Sequence, residues 1–208
     1  MLAPPAGRYL GAAAVALALG YAAWASDLLP RNVAVLLLLV VPTAGLLGLA
    51  AFFRDPERAP EGAIVSAADG VVRAVDRDAT SLRISVFMSV GDVHVNRFPV
   101  DGVVGRIDNA GAGFRPAYLE DSRHNVRRHY HLATELGGVE VIQMTGIVAR
   151  RLVSYVSVGD RRSKGDRLGM IALGSRVDIL FPAERVDPVV AVGARVRAGE
   201  TEIARPRP

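Results

Sequence analysis

Cysteine is absent from this chain, which removes disulfide staples, thiolate-held zinc and thiol nucleophiles from consideration. Aromatic residues make up only 6% of it, and none interleaves a basic run as single-strand binding would need, so no nucleic-acid partner is expected. Charge of one sign is also scarce. The formal net charge is +4 and the arginines are dispersed, which suits contact with an anionic membrane surface better than a dedicated polyanion groove. Lys164 is the only lysine. It lies in a turn but lacks the flanking residues of a lipoyl or biotinyl carrier lysine, so a swinging-arm modification is not expected.

What the chain does have is apolar length at its start. Tyr9 to Ala25 is uncharged and rich in alanine and leucine, and Val33 to Phe53 is again uncharged and more strongly apolar. A helix needs about 20 residues to cross the hydrocarbon of a bilayer; the second segment has them and the first barely does. The two predict a transmembrane helical hairpin over 1–55, closed by Ser26 to Asn32 and followed by one compact domain over 56–208. A secretory signal ending at Ala23-Trp24-Ala25 is the competing reading, disfavoured by the second apolar segment that follows at once. Arg8, Arg54 and Arg58 flank the outer ends and only Arg31 sits in the loop. The positive-inside bias therefore places the domain on the cytoplasmic face of the cell membrane.

Beyond Asp55 the pattern changes to short β-branched runs punctuated by Gly, Asp and Asn. Ile64-Val65, Gly70 to Val75, Leu82 to Val90, Val103 to Ile107, Val139 to Ile147, Ala149 to Val156, Leu168 to Leu173 and Val177 to Phe181 read as strands, giving a mostly β domain. The polar stretch Tyr118 to Arg128 reads as a loop or short helix. An internal echo, Val158-Gly159-Asp160-Arg161 to Gly165-Asp166 and Val192-Gly193-Ala194-Arg195 to Gly199-Glu200, looks like the half-unit of a lipoyl/biotinyl-type barrel-sandwich, and predicts a small flattened sandwich of two related halves. His124, His129 and His131 lack the spacing of a metal site and sit among arginines, so no metal is expected there. They are read as part of a surface loop that contacts lipid phosphate. Phe114, Pro116, Ala117, Tyr118 and Leu119 form a candidate apolar lip for an acyl chain.

Four segments carry chemistry in combination: Phe53-Arg54-Asp55-Pro56-Glu57-Arg58, Ser66-Ala67-Ala68-Asp69-Gly70, Asp92-Val93-His94-Val95-Asn96-Arg97-Phe98-Pro99, and Leu173-Gly174-Ser175. Alone, Gly-Ser is an ordinary turn pair and Asp-Gly a β-turn. Together and in this order, from about Phe53 to about Pro182, they resemble the short form of the pyruvoyl-dependent phosphatidylserine decarboxylase family. The resemblance implies self-cleavage between Gly174 and Ser175, leaving a large chain that ends at Gly174 and a small chain that begins with a pyruvoyl group made from Ser175. It implies phosphatidylserine in the membrane as substrate, decarboxylated through a Schiff base to phosphatidylethanolamine and carbon dioxide. By the same resemblance Ser175, Gly174, His94 and Asp69 are the catalytic residues, and a homo-oligomer is left open.

Two positions depart from the family pattern. Ala67 stands where proline is common, and Arg97 stands where longer members have a second histidine, which leaves the division of proton transfers between Asp69 and His94 open. The alternative from another class is a membrane-anchored barrel-sandwich adaptor in which Gly174-Ser175 is only a turn. A pyruvoyl enzyme acting on another amine-bearing acid is disfavoured by the apolar start.

Overall fold

The computed structural model describes the chain apart from residues 5, 114–123, 147–150, 172–174 and 208. It divides into two compact units, Met1–Pro56 and Glu57–Pro208. In the first, the apolar runs form α1 (Ala6–Ala25) and α2 (Val33–Phe52), and an antiparallel bridge joins Leu2 to Arg54. Asn32 caps α2, its side chain accepting the Val35 N–H at 3.0 Å. The helix runs on through Pro42, and beside it the Thr43 hydroxyl donates to the Leu39 carbonyl at 2.7 Å and lies 3.1 Å from the Tyr21 hydroxyl. Among the described residues α2 is the one helix long and apolar enough to cross a membrane; the apolar part of α1, Leu10–Ala25, is shorter.

The second unit is mostly β, in three sheets. Its strands are β1 (Ile64–Val65), β2 (Gly70–Arg77), β3 (Ser81–Met88), β4 (Val95–Arg97), β5 (Gly102–Ala110), β6 (Arg127–Thr134) and β7 (Gly137–Thr145), then β8 (Leu152–Ser154), β9 (Arg161–Arg162), β10 (Arg167–Ile171), β11 (Ser175–Pro182), β12 (Val186–Pro188), β13 (Arg195–Val196) and β14 (Glu202–Pro206). The main sheet has the order β13-β2-β3-β11-β7-β6-β5-β9; the smaller ones are β1-β14-β12 and β4-β10-β8. Apolar residues at every second position of β3, β11 and β7, such as Ile84, Val86, Val177, Ile179, Val139 and Val141, are fully or almost fully buried and form the core. Each contributes roughly 1.5–3 kcal/mol by leaving water.

The main sheet reads the same from either edge, because its two halves are built alike. β2 pairs with β3 through Val71–Phe87 and Val72–Val86; β5 pairs with β6 through Val103–Ala133 and Val104–Leu132. Both ladders slip at the next residue, between Val72 and Ala74 and between Val104 and Arg106. The two echo segments supply the edges, β13 resting on β2 and β9 on β5, with Gly193 N and Gly159 N each donating at 2.8 Å, to the Val72 and Val104 carbonyls. Asp69-Gly70-Val71-Val72 and Asp101-Gly102-Val103-Val104 are the matching entrances, a second repeat that the sequence reading passed over.

Three expectations change. Arg127 and Arg128 begin a strand rather than close a loop, and His129 and His131 lie on it: His129 Nδ1 is 2.6 Å from Glu140 Oε1 and His131 Nε2 2.9 Å from Asp108 Oδ2. Alternation explains this, since Tyr130 and Leu132 point into the core while the histidines meet carboxylates on the other face. β3 stops at Met88, because the Asp92 carboxylate accepts the Ser89 N–H at 2.8 Å and closes a turn. Arg58 is no free juxtamembrane cation; its side chain is only 7% exposed and paired with Asp69 and Glu200. The candidate apolar lip at Phe114 to Leu119 lies outside the described residues, as do Leu173 and Gly174.

Candidate active site

Ser175 is the first residue of β11, held between Met88 of β3 and Thr145 of β7. The alternation that buries Val177 and Ile179 also turns Ser175 inward. It is fully buried, and its Oγ has no hydrogen-bond partner among the described residues. A hydroxyl denied both water and a partner is costly, about 1–3 kcal/mol, and such a group calls for a functional reason.

Asp69 lies on the other side of β3, just before β2. Gly70, at φ +144°, lies so close to the Phe87 carbonyl that any Cβ there would collide with it. By the register that pairs Val71 with Phe87, Gly70 stands opposite Met88, and Asp69 lies one residue beyond the row of Met88 and Ser175. Asp69 Oδ1 accepts the Ala198 N–H at 2.7 Å and Oδ2 the Arg58 guanidinium at 2.9 Å. Burial pushes the Asp69 carboxyl above the usual aspartate range, while the Ala198 amide and Arg58 pull it back toward the ionised form.

His94 is fully buried just before β4, and its carbonyl accepts the Ile171 N–H at 3.2 Å. It is thereby tied to the last residue of β10, the strand that precedes β11 in the chain. Its Nδ1 lies 2.9 Å from the Asp92 carbonyl. A carbonyl can only accept, so Nδ1 carries the proton in this contact.

Arg97 is also buried, its N–H donating to the Ala67 carbonyl at 2.9 Å and its guanidinium to the Gly165 carbonyl at 2.8 Å. An arginine spent on a turn carbonyl is a structural tie and no proton acceptor. Sequence reasoning did not find the buried polar chain beneath Ser175. Tyr130 OH donates to Gln143 Oε1 at 3.2 Å, Gln143 Nε2 to Asn96 Oδ1 at 2.8 Å, and Asn96 Nδ2 to Met88 Sδ at 3.6 Å. Asn96 thus ties the His94 strand to both strands that flank Ser175. Its place inside the Asp92 to Pro99 segment was the available signal. Gly169 makes room for this chain, since a Cβ there would come within 3.1 Å of both Gln143 Nε2 and the Tyr130 hydroxyl.

Residues 48–204, which hold all of these groups, match the family model described as phosphatidylserine decarboxylase. The chain belongs to the phosphatidylserine decarboxylase family. Among its relatives, a phosphatidylserine decarboxylase proenzyme of Thermobifida fusca is 47% identical over 171 residues, covering 80% of this chain and 78% of the relative. One from Streptomyces avermitilis is 46% identical over 169 residues, covering 80% and 78%. A Methanosarcina acetivorans protein, provisionally named archaetidylserine decarboxylase proenzyme, is 39% identical over 214 residues, covering 98% and 96%. Likeness to these decarboxylases thus extends, in the last case, over almost the whole chain.

Proposed function

We propose that this chain is a phosphatidylserine decarboxylase that matures by cutting itself between Gly174 and Ser175 and works through a pyruvoyl group derived from Ser175. The observation that carries the reading is the buried Ser175 Oγ at the head of β11, without a hydrogen-bond partner among the described residues, with Asp69 across β3 from it and His94 hydrogen-bonded through its carbonyl to Ile171 of β10, the strand before β11. A buried hydroxyl not spent on a structural hydrogen bond among the described residues is available to attack its own preceding carbonyl, which supports a pyruvoyl group made from Ser175.

In the cut, Ser175 Oγ adds to the Gly174 carbonyl carbon, and its proton passes through His94 Nε2 to the departing amide nitrogen. An ester joins Gly174 to Oγ. Loss of the Ser175 Cα proton then expels the Gly174 carboxylate and leaves a Cα–Cβ double bond. Water replaces the nitrogen, released as ammonia, and the small chain begins with the pyruvoyl group. That group supplies an electron sink for loss of carbon dioxide. Asp69, which accepts the Arg58 guanidinium and the Ala198 amide, is the carboxylate of the centre. Residues up to Gly174 form the large chain and residues from Ser175 the small one.

Residues 1–55 act as a membrane-anchoring hairpin. Leu37, Leu38, Val41 and Leu47 of α2 are exposed, which water does not favour and lipid does. The domain over 56–208 is read as a barrel-sandwich of lipoyl/biotinyl type on the cytoplasmic face, supported by the two like halves of its main sheet. The relatives' names share a serine-bearing lipid and differ in the lipid body, so the head group is the part the site reads.

Intact-mass analysis of the purified chain tests the reading. The expected result is a fragment spanning residues 175–208 with a blocked start, together with release of carbon dioxide from phosphatidylserine vesicles. An uncut chain that still decarboxylates would overturn the pyruvoyl route, and an uncut, inactive chain would favour the adaptor.

A further inference from the structure

Asp69 and Asp101 occupy matching entrances of the two half-sheets, and both do the same local work. Asp69 Oδ1 accepts the Ala198 N–H at 2.7 Å; Asp101 Oδ1 accepts the Lys164 N–H at 2.6 Å. Ala198 and Lys164 are themselves equivalent, each standing before the second glycine of its echo segment, Gly199 or Gly165. A contact repeated in the half that has no reactive serine is a turn latch. It does not explain why Asp69 alone serves a reactive centre.

The two aspartates differ in their second oxygen. Asp69 Oδ2 takes the Arg58 guanidinium at 2.9 Å, and the other end of that guanidinium reaches Glu200 Oε2 at 3.1 Å. Among the described residues Asp101 has no ion pair. The counterpart of Glu200 is Asp166, which caps its own turn by accepting the Ser163 N–H at 2.8 Å. Arg58 arrives from the segment before β1, outside the repeat, and it is where the symmetry breaks.

We infer that Arg58 is a positioning residue of the reactive centre: through an ion pair that Asp101 lacks among the described residues, it fixes one of two equivalent turn-latching aspartates, Asp69, beside the Ser175 row. This rests on the proposed role of Ser175. Three charges bear on Asp69. Arg58 favours its ionised form; Asp92, itself paired with Arg195 at 3.2 Å, opposes it; Glu200 acts through Arg58. With Arg58 removed, burial is left opposed by the Ala198 amide, and the Asp69 midpoint rises.

The test uses the full chain with Ser175→Ala, so that every sample stays uncut, and follows the side-chain carboxyl carbons of Asp69 and Asp101 by NMR against pH, Asp101→Asn assigning the second. Arg58→Gln is expected to move the Asp69 midpoint up by about one pH unit or more and to leave Asp101 in place, while Arg58→Lys moves it less. With Ser175 restored, Arg58→Gln is expected to slow self-cutting at least about tenfold at neutral pH and to carry the acid limb of the rate upward with the midpoint, most of the rate returning in Arg58→Lys. An unmoved Asp69 midpoint would overturn the inference. So would a slowing equal at every pH and unrelieved by Arg58→Lys, which would make Arg58 a brace of the fold. A Ser175 chain that never cuts would refute the role of Ser175, whereas the titration decides that of Arg58 without any cutting.

Discussion

One half of the main sheet closes where the other opens. In the closed half, Thr134 of β6 and Gly137 of β7 face each other across a two-residue turn, Glu135-Leu136, and the hydrogen-bonded hairpin leaves nothing to react. In the open half the matching pair is Met88 and Ser175, but β3 does not turn into β11; that strand is fed from β10 of a separate sheet. The corner where a hairpin would sit instead receives Ser175, the first residue of β11. Equivalent backbone thus serves as a plain turn in one half and as a candidate self-cutting bond in the other. The two halves differ in this connection and in the Arg58 ion pair, with the strands left alike.

The sharpest way to break this comparison is to exchange the two corners. Ser175→Ala is expected to abolish both self-cutting and decarboxylation, with a single uncut mass, while Gly137→Ser creates no new cut. A fragment beginning at residue 137 would show that strand position alone suffices. Next in size, His94→Ala is expected to slow cutting by about 10²-fold or more, as loss of a proton-transfer group does, with the time course read on a gel. Wild-type kinetics in that variant would shift the proton transfers to Asp69.

The aspartate pair sharpens the comparison further. Asp69→Ala removes one of the two carboxylates that hold buried Arg58, a loss of up to about 3–5 kcal/mol, so it should lower both the cutting rate and the melting temperature. Asp101→Ala loses only a latch, about 1 kcal/mol, and should leave cutting at the wild-type rate. Equal effects of the two on cutting would erase the distinction between the halves.

The smallest expected effect lies in the β2–β3 turn, where Asp78 accepts the N–H groups of Thr80 and Ser81, each at 2.8 Å, and their hydroxyls at 3.0 Å. Those bonds lower its pKa to about 2 from 3.8. A carboxyl whose folded value is depressed contributes stability above its unfolded value and loses it as pH falls toward the folded one. Asp78→Asn should therefore flatten the decline of melting temperature between about pH 4 and about pH 2. The matching position in the other half is Ala110, whose replacement by Ser should leave that slope unchanged.

Much of this was legible in the order of residues. The strand at Ser81 to Met88 and the apolar run at Val177 to Phe181 declare themselves by local pattern, and Asp69, His94 and Ser175 stood out through the company of their segments. β6 was not legible, because Arg127-Arg128-His129-Tyr130-His131 reads as a polar run until Glu140 and Asp108 on neighbouring strands supply partners for its outward face. Arg58 looked like a membrane-flanking charge for the same reason. Its partners, Asp69 and Glu200, are distant in the chain, and burial is decided by what folds against a residue.

By itself the sequence determined the elements and the reactive types: two apolar helices, β-rich remainder, a serine after a glycine, one histidine and one aspartate in recognisable segments. These follow from local periodicity and from side-chain chemistry, which need only near neighbours. Only the tertiary structure decided that Asp69 and Ser175 lie on opposite sides of β3, that Asn96 ties the His94 strand to the strands beside Ser175, and that Asp101 repeats the Asp69 latch without its ion pair. Those facts depend on strand register between segments far apart in the chain, and register is set by the packing of the whole sheet, where a slip of one residue would turn every side chain to the opposite face.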